Sequence, residues 1–515
     1  MNGFVDVVLR GLALVCASFA VGGVAWLCFV LRAAPNVAPT PAVRLALRLV
    51  ALAAAGLAAT QVALMLVALG ALAPTHGGWP VELYFHTSFA RIAVLRTVLG
   101  VAVAAIALLL AHGPASRLSW HALTVCAVAL VAASAVLSHA VARLESRGLL
   151  LGLDAVHQVA AAVWVGGLGH LIIAGSRDPL LLQRFSRMAM ISVGALSLAG
   201  LGLTLAYVGD VAAFAGTAYG VMIVSKLILF AAALAFARAN FVMVRSAAGQ
   251  GGRLSRYVEV ELGLVITVLF AAASLTSLPP AVDVVEDRAT VREVAARFAP
   301  ATPRLVSPPA AELNRTADAL MAVPERRLPI EIAWSEYNHH WAGFFVVTMG
   351  VLMMLERLGA RWARHWPLVF LGLAAFLFVR NDPKAWPLGP TGFWESLTLP
   401  DVLQHRMFVV LVIAFAVFEW SVRTGRLAVR PWGYVFPLLC AVGGGLLLTH
   451  SHAMFNLKQE FLTEVTHAPI GLFGAFAGWG RWLELRLPES ASRAGWLWTL
   501  CFTAVGVVLL VYREG

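Results

Sequence analysis

Long apolar runs recur along the chain at the length a lipid bilayer demands. About fourteen segments qualify, at 4–31, 43–71, 89–111, 119–141, 151–174, 184–209, 217–240, 258–279, 341–358, 364–380, 402–422, 432–450, 460–483 and 495–512. A spanning helix needs about twenty such residues, because in lipid its backbone must satisfy its own hydrogen bonds. The runs at 341–358 and 364–380 are the shortest. Basic residues fall in alternate connections, such as Arg177, Arg184 and Arg187, then Arg238, Arg245, Arg253 and Arg256, then Arg423, Arg426 and Arg430. The intervening short loops hold far fewer. By the positive-inside rule the basic set is cytoplasmic and both termini face out. The pattern predicts an all-α, polytopic membrane helix bundle of about 14 transmembrane helices.

The same pattern divides the chain. Residues 1–280 form an eight-helix membrane domain and 341–515 a six-helix one. Between them 281–340 reads as an external linker rich in Pro, Ala and charge, with a short helix predicted at VREVAARFAP. The N-terminal apolar stretch lacks a basic flank and is too long for a signal-peptide core, so it is expected to be a retained first helix.

Composition agrees and narrows the functional classes. The 515 residues are 60% hydrophobic and 13% charged, against about half and a quarter in soluble domains. The net charge of +11 follows from basic cytoplasmic loops rather than from nucleic-acid binding. All five cysteines lie inside apolar runs and none forms a CxxC, so neither a disulfide framework nor a thiolate metal motif is expected. No P-loop or aspartyl-phosphate motif occurs.

Candidate chemistry lies in the histidines. Ten of the 14 fall at or near the predicted outer face. Near the C-terminus, THSHAMFNLKQEFLTEVTH gathers His450, His452, Met454, Glu460, Glu464 and His467, and His405 begins the helix before. Glu464 and His467, three apart, project from one helix face. The first half holds an echo: Asp154 and His157 are again three apart, LSHA carries His139, and His86 precedes a helix as His405 does. The two sets point to a parallel duplication, as transporters often show. Each offers three imidazoles and a carboxylate, a donor set for copper, zinc or iron, with Met454 a soft option for Cu(I). The alternative for each histidine is an interfacial role, hydrogen-bonded to loop carbonyls. A first site would use His139, Asp154 and His157 with His86; a second, His405, His450 or His452, Glu464 and His467.

Other polar groups stand out against lipid. Lys226, inside VMIVSKLILF, balances Asp210 or repels cations from a wrong route. Glu259, Glu261, Glu356 and Glu419, near cytoplasmic helix ends, meet headgroups or arginines, or line an ion exit. Trp164, two turns below His157, either packs helices with Gly166 and Gly167 or floors the site.

Four stretches carry a family resemblance: HQVAAAVWVGGLGHL (157–171), RFSRMAMISVGALSLAG (184–200), GTAYGVMIVSKLILFAAALAFARANF (216–241) and VEVELGLVITVLFAAASLTSLPP (258–280). They resemble the copper-resistance protein D family. The ordered matches are His157, Trp164, Gly166, Gly167, Arg184, Phe185, Ser186, Thr217, Tyr219, Gly220, Lys226, Asn240 and Glu261; at LSHA, Ser138 replaces that family's Gly. The resemblance covers 150–280 well, the first 150 residues loosely, and the last six helices not at all. It implies a multi-pass bacterial inner-membrane protein that is not an enzyme. Such a protein takes up Cu(I) or Cu(II) at the periplasmic face and moves it inward or hands it on, with a small periplasmic copper-binding protein and membrane lipid as partners. Two rivals use the same residues: a b-type haem redox protein with paired axial histidines, and a copper-dependent assembly or oxidising enzyme.

Overall fold

The computed structural model describes residues 2–33, 36–113, 116–143, 145–174, 178–245, 253–309, 328–383, 385–449, 458–487 and 491–515. They form helices throughout; the one β contact among them is an isolated bridge between Ala385 and Thr391. Twelve helices among the described residues are long and apolar enough to cross a membrane. The predicted spans 341–358 and 460–483 are helical too, but charged, His and Gly residues dilute their hydropathy below that standard.

The chain folds as two compact units, residues 1–288 with 448–458, and residues 289–447 with 459–515. In the first unit the helices are α1 (Asn2–Ala25), α2 (Pro41–His76), α3 (Val81–Phe85), α4 (Ser88–His112), α5 (Arg117–Ala135), α6 (Arg147–Ala174), α7 (Pro179–Val208), α8 (Val211–Gly216), α9 (Ala218–Arg245) and α10 (Arg253–Leu275). Short polar side chains start several of them. Thr40, Thr87, Ser116, Asp178 and Asp210 each accept from a backbone N–H of the first turn, satisfying donors that a helix leaves without partners. Several helices outlast their apolar runs: α2, with 36 residues, is about 54 Å long at about 1.5 Å per residue, well beyond a hydrocarbon core of about 30 Å.

Helix α1 packs against α2, α6 and α10. Its crossing with α6 brings backbone to backbone. A Cβ on Gly22 would lie 2.2 Å from Ala162 O, and one on Gly166 2.0 Å from Ser18 O. Small residues of this kind let membrane helices approach where lipid supplies no hydrophobic drive between them.

The second unit contains α11 (Val291–Arg297), α12 (Pro329–Arg357), α13 (Val369–Arg380), α14 (Phe393–Ser396), α15 (Pro400–Arg423), α16 (Val429–Trp432), α17 (Val435–Thr449, whose last two residues group with the first unit), α18 (Lys458–Glu464), α19 (His467–Arg486) and α20 (Ala491–Leu510). Helix α11 carries a capping box in which Thr290 and Glu293 satisfy each other's backbone donors. Met349, Met353, Trp366, Phe436, Ala477 and Trp498 form a buried core cluster of the second unit. Below that core Arg357, Arg423 and Arg481 approach the Trp498 ring at 5.7, 5.8 and 5.4 Å. Their charges meet Glu484, which accepts from Arg357, Arg481 and Trp498 Nε1, and Glu356 and Glu419, which both pair with Arg423.

Candidate functional site

Polar side chains from four segments converge at one end of the first unit. Helix α5 ends at Ala135, where the Ser138 hydroxyl donates to Ala135 O at 2.7 Å, and a 3-10 turn, His139–Ala142, follows. The predicted span to 141 thus ends early. His139 Nε2 donates to Leu275 O, at the end of α10, at 3.1 Å. Its ring meets Tyr207 and Tyr219 edge-on, with centroids 6.2 and 6.5 Å away.

Asp154 and His157 sit one turn apart on α6. His157 Nδ1 donates to Leu196 O of α7 at 3.2 Å. The ring fits there because position 200 is glycine: a Cβ would lie 3.1 Å from His157 Cε1. Asp154 accepts from Gln158 Nε2 at 2.6 Å and lies in the field of Lys226 and His139. Both histidines therefore bond a backbone carbonyl, His139 at the end of α10 and His157 within α7. That bond also fixes the neutral tautomer, leaving Nδ1 of His139 and Nε2 of His157 as lone-pair donors, the arrangement in which second-shell acceptors orient metal-ligating histidines.

The other predicted ligands are placed differently. His86 is exposed at the end of α3, where its carbonyl accepts from Arg91. In the second unit His405 Nδ1 lies 2.7 Å from Asp382 Oδ1, to which it donates when protonated, and 2.8 Å from Asn381 Nδ2, from which it accepts when not. His467 begins α19, its ring centroid 6.1 Å from that of His339, which stacks on Tyr512 at 4.1 Å. Glu464 ends α18. His450 and His452, with Met454, lie outside the described residues. Among the described residues no three His, Cys, Asp or Glu side chains are gathered closely enough to hold a metal ion. Neighbouring His340 is saturated: Nδ1 accepts from Arg304 N at 2.7 Å and Nε2 donates to Tyr512 O at 2.8 Å.

Two expectations need correction. Lys226 does not balance Asp210. Its field acts on Asp154 and His157, whereas Asp210 pairs with Arg288. Trp164 does not floor the histidine site either; its Nε1 donates to Glu261 at 3.0 Å. Sequence reasoning also missed Tyr207 as a neighbour of His139, and no local pattern marks it.

A cleft of about 680 Å³ opens beside His139. Residues 276–280 line it together with Asp283, Glu286 and Asp287. Two ion pairs fasten this lining, Arg143 to Asp283 at 2.7 Å and Arg288 to Asp210 at 2.5 Å. The Arg288 hydrogen bond holds the Asp210 carboxyl below its ordinary value. A depressed carboxylate adds stability that is present above the unfolded value, about 3.9, and is lost as pH falls through the folded one. Amide protection of 281–288 is accordingly expected to persist through the usual aspartate range and to fail only below it. In Arg288→Ala it should fall earlier; hydrogen exchange, corrected for intrinsic rates, gives the comparison.

Residues 179–275, from α7 to the end of α10, match the family model described as Copper resistance protein D. A relative from Bacillus subtilis (strain 168), named Copper transport protein CutJ, is 30% identical over 169 residues, covering 31% of this chain and 31% of its own. The chain thus spans about a third of the length of the curated relative it matches. No solved structure matches it.

Proposed function

We propose, from the copper-resistance-D segment at residues 179–275, that this polytopic membrane protein takes up copper through the acidic cleft and transports it across the membrane or hands it on. The observation that carries the reading is the pair His139 and His157, each held by one nitrogen on a backbone carbonyl with the other presented as a lone pair. Asp154 stands in the same field and supplies an anionic donor. A nitrogen and oxygen set of this kind suits copper or zinc; the copper in the names of the matching family and relative favours copper. The ion is cargo, and its arrival draws together donors that are not preassembled.

Asp283, Glu286 and Asp287 attract cations toward His139. They also suit delivery by a small periplasmic copper-binding protein. The end of the bundle with Arg184, Arg187, Arg238 and Arg245 then faces the cytoplasm of a bacterial inner membrane. His405, Glu464 and His467 of the second unit are the candidates for a second site, while His450 and His452 lie outside the described residues.

Replacing His139 and His157 together by alanine is expected to remove one metal equivalent per chain. The detergent-purified protein should keep its helical circular dichroism and elution volume. Metal analysis with a visible spectrum reads the result: full copper content in a folded double variant would refute the first site, and a Soret band would assign the histidines to haem instead.

A further inference from the structure

Away from the histidines, toward the Arg-rich end of the first unit, α10 buries a carboxyl that the copper site does not use. Glu261 is 3% exposed. Trp164 Nε1 of α6 donates to one of its oxygens at 3.0 Å, and Asn240 Nδ2 of α9 to the other at 2.6 Å. No Lys, Arg or His pairs with it among the described residues. On α6 the buried His170, six residues beyond Trp164, donates its Nδ1 to Gly166 O, and Arg256 and Glu259 stand on α10 itself, nearer its start. Asp6 and Arg10 of α1 pair with each other. Asp154 and His157 on α6, and Lys226 on α9, lie two or more turns toward the opposite end. Arg238 is exposed at the cleft described next.

Membrane-embedded carboxylates are costly unless paired, and a charge with two neutral donors is only partly compensated. The site is built for both protonation states. Asn240 Oδ1 is buried and makes no hydrogen bond, and the two ends of an amide exchange places by rotation. With Nδ2 toward Glu261 the amide donates to a carboxylate; with Oδ1 toward it, the amide accepts from a carboxylic acid. The 2.6 Å separation suits an O–H···O bond as well as a short N–H···O bond. A cleft of about 440 Å³ runs from Trp164 and Glu261 past Asn240 to Arg238, Val244 and Leu254, toward the Arg-rich end. That cleft gives the carboxyl a route to exchange its proton.

We infer that Glu261 is a proton-exchanging carboxyl, positioned by Trp164 and Asn240, whose protonation from the Arg-rich side is coupled to movement of the transported cation. The step involves no redox chemistry: the carboxylate takes a proton from water on the Arg-rich side and returns it. The coupling rests on the transport reading; the exchange itself does not.

The test has two arms on the full chain in lipid. In infrared difference spectra across a pH step, the wild type should show a carboxylic-acid band that Glu261→Gln lacks and Glu261→Asp shifts in frequency. Identical spectra for wild type and the Gln variant would overturn the assignment. In vesicles, copper uptake by the wild type should respond to an imposed pH gradient, and Glu261→Gln should lose that response while keeping bound copper. Uptake in the wild type that ignores the gradient overturns the coupling. A wild type that moves no copper defeats the transport reading, and the infrared band still decides the fate of Glu261.

Discussion

Glu484→Ala is expected to destabilise the second unit by about 3–5 kcal/mol, the usual loss when one member of a buried ion pair is removed. Glu484 is 12% exposed and accepts from two guanidinium groups and the Trp498 indole. Without it Arg357 and Arg481 keep their places beside the Trp498 ring, but their nearest counter-charge is gone. The ring offers a cation–π contact of about 0.5–2 kcal/mol, too little to replace a carboxylate. The remaining acids cannot move over, since Glu356 and Glu419 both serve Arg423. Unfolding of the purified protein in mixed detergent measures the loss. Adding Arg481→Ala should recover part of it, because the second change removes the stranded charge. A loss below about 1 kcal/mol, the range of exposed pairs, would mean that water already screens the network.

Gly166→Leu is expected to prevent α1 and α6 from assembling. The space for even one carbon is absent: the nearest atoms to a Cβ at 166 are Ser18 O at 2.0 Å and Gly22 Cα at 2.9 Å. These are backbone atoms, which cannot rotate away as a side-chain end can. Gly166→Ala should lose about 1–3 kcal/mol, the typical cost of overpacking, and the leucine variant should yield little monodisperse protein. Size-exclusion profiles after membrane extraction compare the two. A leucine variant that extracts and elutes like wild type would show that the two helices do not cross in contact.

Much of the architecture was legible because lipid enforces a simple code. The twelve qualifying helices coincide with predicted apolar runs, whereas the caps Thr40, Thr87 and Ser116 that start three of them were not read. That Asp154 and His157 lie one turn apart on a single helix was legible from spacing alone. What was hidden depends on segments that meet only after folding. Glu261 read as a helix-end acid near headgroups, yet it is enclosed by residues 97 and 21 positions away. Glu356 and Glu419 stood in the same class and do meet an arginine. The difference is whether a guanidinium or an indole arrives from the neighbouring helix, which periodicity does not encode. His340 looked like any other outer histidine. Only the arrival of Arg304 N and Tyr512 O shows that both its nitrogens are used.

The central position of α1 has a consequence for biosynthesis. It leaves the ribosome before all three of its main neighbours, and of these only α2 follows at once. Helix α6 ends at Ala174 and α10 at Leu275. At roughly 5–20 residues per second the wait for α6 is on the order of ten seconds. Throughout that interval the surface of Ser18 and Gly22, later covered by Gly166, faces lipid or the insertion machinery. The first unit therefore closes around a segment made well before two of its partners, and a ribosome stalled before α6 would leave α1 without the helix that covers Ser18 and Gly22.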